Sequence, residues 1–194
     1  MKNLKIFIPA IVIITTLFCT IHAFAQNTED TADWRFHDDL LNRLVGKWDI
    51  TGVFYGRPDK GTLEAEWVMD HQYLRIHEKS EEVIPEINKP YETEFFIGFN
   101  RNSKRYVVHE IDVCGSTMNE GFYFAHRTGN ELKLEKIRDS LRCSVQRFTW
   151  EPASGGWHIE VRLVRNVDGK LVNNGKEGEP VVDLKAVAVT PSSN

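Results

Sequence analysis

The sequence predicts an all-β protein that closes into an antiparallel barrel of about eight to ten strands, with a short N-terminal helix plugging one end. Two observations predict this fold class. Apolar and polar residues alternate almost without interruption from Trp48 to Val189, as in strands that bury one face. Glycine, proline, asparagine and aspartate separate the alternating segments at short intervals, as hairpin turns require. Because little helical periodicity lies between these segments, neighbouring strands are expected to pair antiparallel.

Residues 1–25 are predicted to be a signal peptide. Two lysines, Lys2 and Lys5, precede an apolar stretch at 6–18, and residues 23–25 read Ala-Phe-Ala, a cleavage signal of small residues. Cleavage there would leave no membrane span, and it predicts a secreted or periplasmic protein. An uncleaved anchor is the less favoured alternative, because a membrane span needs about 20 apolar residues.

The charge of the chain argues against two classes of partner. Its formal net charge is −4, and removal of the signal peptide, which contains two lysines and no acidic residue, makes it more negative. Proteins that bind nucleic acid or anionic membranes concentrate lysine and arginine on one face. We therefore expect neither partner.

An amphipathic helix is predicted at residues 33–45, inside an N-terminal segment of residues 26–46. Its apolar stripe consists of Phe36, Leu40, Leu41, Leu44 and Val45. Asp33 is predicted to cap its N-terminus and Gly46 to end it. A single helix before an all-β domain must bury this stripe, and the open end of a barrel is the natural place.

Ten strands are predicted in one barrel domain of residues 47–190. Their ranges are 47–55, 62–69, 73–79, 91–99, 105–113, 121–127, 131–137, 141–150, 157–166 and 180–189. Residues 56–59, Gly-Arg-Pro-Asp, are predicted to form a turn. No internal repeat or low-complexity linker divides the sequence, so no second domain is expected.

Several short motifs resemble those of a known family. They are Leu-x-x-Leu-Val-Gly-Lys-Trp at 41–48, Thr-Gly at 51–52, Glu-Trp at 66–67, Gly-Phe-Asn at 98–100 and Ile-Asp at 111–112. Their order resembles bacterial exported lipocalin-like (calycin) domains of unknown function and, more distantly, nitrobindin-type haem-binding barrels. The resemblance implies a closed barrel with an internal cavity. Nitrobindins place an iron-binding histidine near the C-terminal strand, but residues 181–189 contain none, so haem is disfavoured and no cofactor is predicted.

Polar residues that share the spacing of a strand's apolar face are the candidate site residues. His109 alternates with Val107 and Ile111, His126 with the phenylalanines at 122 and 124, and Arg147 with Cys143 and Val145. The same pattern places Tyr106 and Glu110 outside. We therefore predict that His109, His126 and Arg147 face the barrel interior and bind a ligand, beside aromatic walls that include Trp67 and Phe95.

Each of these residues has a structural alternative. His109 can be a core histidine with hydrogen bonds, and His126 can simply emerge at a barrel end. Arg147 can form an ion pair, with Glu78 or Asp183 as partner. The aromatic residues can fill the core instead of lining a cavity.

The two cysteines of the predicted mature chain permit two interpretations. Cys114 and Cys143 can form a disulfide in an oxidising compartment, or they can be separate buried thiols. No spacing of histidine, cysteine and carboxylate residues in the sequence predicts a metal site.

These observations leave three functional hypotheses. The favoured one is an exported barrel that binds a small apolar or amphipathic molecule. The second is an isomerase, cyclase or hydrolase that uses His109 as a base in the lumen. The third is an envelope interaction protein with a filled barrel. Under each hypothesis the protein can be a monomer or a homodimer, and the sequence does not distinguish them.

Overall fold

The computed structural model describes residues 33–85, 87–115, 122–137, 143–167, 170–173 and 179–190. Within these ranges the chain forms one helix, α1 (Asp39–Asn42), and eleven strands. The strands are β1 (Gly46–Phe54), β2 (Arg57–Val68), β3 (Tyr73–Ile84), β4 (Lys89–Asn100), β5 (Arg105–Asp112), β6 (Phe122–Thr128), β7 (Glu131–Ile137), β8 (Cys143–Glu151), β9 (Gly156–Val167), β10 (Lys170–Asn173) and β11 (Val182–Ala188). The predicted signal peptide lies outside the described residues. Within the described residues, we find no helix long and apolar enough to cross a membrane.

Ten of these strands close into an antiparallel barrel, which confirms the predicted fold class. Strands β1 to β9 follow one another around the barrel, β11 pairs with β9, and β1 pairs with β11 to complete the ring. The short strand β10 pairs only with the end of β9 and extends the sheet outside the ring. Because a closed barrel leaves no strand edge within the ring, its backbone hydrogen bonds are satisfied internally.

The first hairpin turn is shorter than predicted. Only Tyr55 and Gly56 connect β1 to β2, and both have positive φ, 48° and 78°. Two consecutive residues with positive φ are typical of the tight turns that match the twist of paired strands. Pro58 and Asp59, predicted as turn residues, therefore already belong to β2.

The helix is also shorter than predicted. It begins at Asp39, and its N-cap is Asp38 instead of Asp33. The Asp38 carboxylate accepts hydrogen bonds from the backbone N–H groups of Leu40 and Leu41, both at 2.9 Å. Its other oxygen accepts from the Tyr106 hydroxyl and lies 3.1 Å from an Arg127 guanidinium nitrogen. These tertiary partners, which local periodicity does not reveal, determine where the helix begins.

The helix plugs one end of the barrel, as predicted. Its apolar residues join the core formed by the inward faces of the strands. Two barrel tryptophans also hold its C-terminal end, since the Trp48 indole N–H donates to the Leu44 carbonyl at 2.7 Å and the Trp157 indole N–H donates to the Arg43 carbonyl at 3.4 Å. Such bonds satisfy carbonyl groups that the last turn of a helix leaves unpaired.

The barrel interior changes character along its axis. Next to the helix and in the middle it is filled by large apolar side chains, among them Trp157, Phe95 and Phe148. Towards the opposite end the inward positions become polar, and buried acidic and basic residues replace the aliphatic ones. The fold thus leaves one end of the barrel free for a polar site.

Replacing Asp38 with alanine is expected to lower the free energy of unfolding by about 2 kcal/mol, because the helix loses its cap and Arg127 loses a buried partner. Urea denaturation would measure the change. Asp39→Ala is the matched control: Asp39 also contacts Arg127, at 2.7 Å, but its side chain is 72% exposed. The control should cost less than about 1 kcal/mol. Equal losses in the two variants would contradict this role of the Asp38 cap.

Candidate functional site

His109 lies on the outer face of the barrel, so the prediction that it faces inward is wrong. It pairs across the sheet with Phe96 and Phe122, and its ring packs against the Phe122 ring at a centroid distance of 3.7 Å. The residues of β5 that face inward are instead Val108 and Glu110, which are both buried. His109 is therefore neither a lumen base nor a ligand contact inside the barrel.

His126 also faces outward, because Tyr123 and Ala125 occupy the buried positions of β6. His126 is exposed and lines an open surface depression of about 410 Å³ together with Lys104 and Arg127. The structure thus agrees with the alternative that His126 emerges near a barrel end. The prediction that His126 faces inward is wrong because aromatic residues occupy both faces of β6, so their spacing does not identify the buried face.

Arg147 is the third residue whose predicted direction is wrong. On β8 the inward position belongs to its neighbour Gln146, and Arg147 forms ion pairs on the outer face. Its guanidinium lies 2.8 Å from a Glu160 carboxylate oxygen and 3.6 Å from one of Glu131. The ion-pair alternative for Arg147 is therefore correct, but its partners are not Glu78 or Asp183.

The two predicted aromatic residues lie in different parts of the barrel. Trp67 is beside the helical plug, where its indole N–H donates to the Asn42 side-chain oxygen at 2.8 Å and its ring stacks on His71. Phe95 is fully buried and lines an internal cavity. Trp67 is thus part of the plug, whereas Phe95 lies where the sequence predicted it.

The cysteines are separate free thiols in this structure. Cys143 is buried in a small cluster with Val145 and Val164 on the outer side of β8 and β9. Cys114 is half-buried and lines a pocket at the open end of the barrel. Burial and the neighbouring Asp112 raise the pKa of the Cys114 thiol above its ordinary value. Of the two interpretations, the structure shows the unbridged pair.

A polar cavity of about 100 Å³ lies inside the barrel at the end opposite the helix. We call it the inner chamber. Its polar wall includes Glu78, Thr93, Glu110, Asp112, Lys136, Ser144 and Gln146, which come from β3, β4, β5, β7 and β8. The rings of Phe54, Tyr55, Tyr91 and Phe95 and aliphatic residues of β9 and β11 also line it. Strands distant in sequence thus bring acidic, basic and amide groups to one buried place.

An ion pair crosses the inner chamber. The Lys136 ammonium lies 2.5 Å from a Glu110 carboxylate oxygen, and the two side chains are 8% and 3% exposed. The Lys136 nitrogen also lies 5.4 Å from the Phe95 ring centroid and 5.7 Å from that of Tyr123. Both the carboxylate and the aromatic faces therefore stabilise its charge.

Glu78 is the second buried acid of the inner chamber. The pKa of its carboxyl is raised to about 7, mainly by burial and in smaller part by the nearby carboxylates of Glu110 and Asp59, while Lys136 opposes the rise. Among the described residues we find no hydrogen bond or ion pair to the Glu78 carboxylate. A carboxyl that titrates near neutral pH in a cavity is a candidate functional group.

A wider apolar pocket, which we call the mouth pocket, adjoins the inner chamber. Its volume is about 320 Å³, and Phe54, Tyr55 and Tyr91 line both spaces. Its apolar wall continues through Pro58, Val83, Ile84 and Ile87. Asp59, Ser80 and Glu82 lie at its polar side with Arg57. The two spaces are therefore neighbours that share part of their aromatic wall, one mainly apolar and one polar.

The sequence contained a signal for the residues that were missed. Glu78 and Ser80 follow Leu74 and Ile76 at the spacing of one strand face, so they interrupt an apolar face with polar groups. Glu110 could be found through its partner, because Phe95 pairs directly with Glu110 and directly paired residues share a face. Burial of such groups costs free energy and therefore points to a function or to buried partners.

Comparison with known proteins gives no family for this chain, because neither a protein-family model nor a curated protein matches it. The structure is compatible with a calycin-like barrel, and the family resemblance itself stays a prediction. Neither cavity is lined by a histidine among the described residues, and no cluster there has three groups placed to hold a metal ion.

Proposed function

We propose that this chain is an exported protein that binds a small amphipathic molecule in the adjoining mouth pocket and inner chamber. Export rests on the predicted signal peptide. Binding is supported above all by one observation, an apolar pocket that shares its aromatic wall with a buried polar chamber. Ligand sites combine a mainly apolar wall with a few polar groups that fix orientation.

The lining suggests how the ligand is oriented. The mouth pocket is large enough for an alkyl chain or a compact aromatic group of more than one ring, while the inner chamber has room for only a few atoms. The apolar part of the ligand would therefore occupy the mouth pocket, and its polar end would reach Glu78 and Gln146. The enzyme hypothesis depends on His109 as a base in the lumen, but His109 lies on the outer face of the barrel.

A neutral fluorescent probe, N-phenyl-1-naphthylamine, is expected to brighten when it enters the mouth pocket. Ile84→Asp should weaken its binding by about tenfold, because the substitution places a charge in the apolar wall. Titration of the purified protein with the probe measures this affinity.

Ile111→Asp is the matched control, because Ile111 lies on the outer face of β5 and is 59% exposed. Its affinity for the probe should equal that of the unmodified protein. If the probe does not bind, or if both variants weaken binding equally, the proposed site is wrong. Native mass spectrometry of the protein from its natural source would then identify a retained ligand.

A further inference from the structure

We propose that the inner chamber selects ligands with a cationic nitrogen, so that the preferred ligand is a primary amine carrying an apolar tail. This inference rests on the proposed function, and it adds the chemical class of the ligand. Three observations carry it: the charge balance of the chamber, the type of its unpaired atoms and the cation that it already holds.

The charge balance of the buried end is negative. Among the residues that the structure describes, four carboxyl groups lie in or beside the inner chamber, those of Asp59, Glu78, Glu110 and Asp112. The one lysine in the described lining, Lys136, is already paired with Glu110. A ligand with a carboxylate or phosphate would add negative charge next to these groups, which is costly where water is excluded. An ammonium group would instead compensate them.

Two side chains of the chamber offer acceptor atoms that receive no hydrogen bond from the described residues. The Gln146 side-chain oxygen is fully buried and has no hydrogen-bond partner among the described residues. Glu78, 6% exposed, likewise offers its oxygens without a bond from the described part of the chain. By contrast, Asp59 accepts from the Ser80 hydroxyl. Buried acceptors without donors are costly. A primary ammonium group carries three N–H donors and would supply what both Glu78 and Gln146 lack.

The chamber already accommodates one ammonium group. Lys136 places its charged nitrogen between a carboxylate and the aromatic faces of Phe95 and Tyr123. A similar aromatic pair stands at the junction with the mouth pocket, where the rings of Phe54 and Tyr91 lie 4.9 Å apart. Aromatic faces attract cations, whereas they repel anions. The path to Glu78 is therefore favourable for an amine.

The volumes limit the shape of the ligand. About 100 Å³ holds a small, unbranched head group, and the adjoining 320 Å³ holds its tail. Decylamine, decanol and decanoate form a matched set with the same alkyl chain and a positive, neutral or negative head. Each would be used to displace N-phenyl-1-naphthylamine from the full protein at pH 8, where the Glu78 carboxyl is mostly ionised.

Decylamine is expected to displace the probe at a concentration about tenfold lower than decanol, and decanoate should be the weakest of the three. Glu78→Gln should remove most of the advantage of decylamine over decanol, which is the ratio of their displacing concentrations. Glu64→Gln is the matched control, because Glu64 is exposed on the outer face of β2 and pairs with Lys47 at 3.4 Å. Gln146→Leu is a second variant, which changes no charge, and it should also reduce the advantage of decylamine over decanol.

The advantage of decylamine should also increase from pH 6 to pH 8 as Glu78 ionises, because alkylamines stay protonated over this range. The charged and titratable groups around Glu78 are Asp59 on β2, Tyr91 on β4, Glu110 and Asp112 on β5, and Lys136 on β7. The pKa of Glu78 itself is raised to about 7, so its charge changes within this pH range.

The outcomes separate the two proposals. If decylamine and decanol displace the probe equally, or if decanoate is preferred, the cationic ligand is excluded while the binding site stands. If Glu78→Gln and Gln146→Leu both keep the full preference for decylamine, the inner chamber does not recognise the amine. If the probe binds but none of the three compounds displaces it, or if it does not bind at all, the proposed function itself fails.

Discussion

Replacing Lys136 with methionine lowers the free energy of unfolding by about 3–5 kcal/mol at pH 7, the largest single effect expected in this protein. The Lys136 ammonium is the partner of Glu110, and both side chains are buried. Without it, Glu110 must either keep an uncompensated charge inside the barrel or take up a proton. Urea denaturation at pH 7 measures the loss.

The double variant Lys136→Met/Glu110→Gln should regain most of this stability, because it removes both charges together. Lys133→Met serves as the control, since Lys133 lies on the same strand but its side chain is 34% exposed and contacts Glu135. The control should cost less than about 1 kcal/mol. A loss below about 1 kcal/mol in Lys136→Met, or a double variant less stable than the single one, would contradict a buried ion pair.

Glu78→Gln stabilises the unliganded protein, and the gain depends on pH. Burial raises the pKa of Glu78 from 4.5 to about 7, so between these values the folded protein holds a proton that the unfolded chain has released. The free energy of unfolding therefore decreases as the pH rises from about 4.5 to 7. Above pH 7 it is lowered by the full cost of keeping a charged Glu78 carboxylate buried. Glutamine has no such penalty.

The stability of Glu78→Gln should accordingly exceed that of the unmodified protein by about 3 kcal/mol at pH 8 and by less than about 1 kcal/mol at pH 5. Urea denaturation of both proteins at the two pH values measures this difference. Glu64→Gln, at an exposed position, should show no pH-dependent difference. A constant gain at both pH values would mean that the variant improves packing without removing a charge. A destabilised variant at pH 8 would mean that Glu78 is held by partners.

Together the two variants test why these groups are retained. Burial of Glu78 costs stability in the absence of ligand, as is common for groups that serve a binding site. A bound ammonium would offset this cost, so ligand should stabilise the unmodified protein more than Glu78→Gln. The stability measurements and the displacement measurements thus report on the same chamber independently.

The strands could be predicted from the sequence because their signal is local. Alternation and turn residues depend on neighbours along the chain, and each of the ten predicted strands has a counterpart in the barrel. The faces of β5, β6 and β8 could not be predicted in this way. On β5, for example, Val107 and Ile111 lie on one side and Tyr106 and Val108 on the other, so both faces contain apolar residues.

Strand pairing resolves this ambiguity. Phe95, on the correctly predicted inner face of β4, pairs with Glu110, and a pair shares its face of the sheet. A shift of one residue in this register would exchange Glu110 for His109, which is the error that the alternation pattern permitted. On β8 the error has a second cause, because the outward residues Cys143 and Val145 are buried as well, in a cluster with Val164.

The all-β class, the position of the strands and the inward direction of Phe95 follow from residues that are close along the chain. The meeting of Glu78, Glu110, Lys136 and Gln146 in one chamber, with His109 and Arg147 outside it, follows from contacts between distant strands. The reason is physical. A strand shows its own alternation, but which of its two faces is enclosed depends on the register with its neighbours and on the closure of the ring.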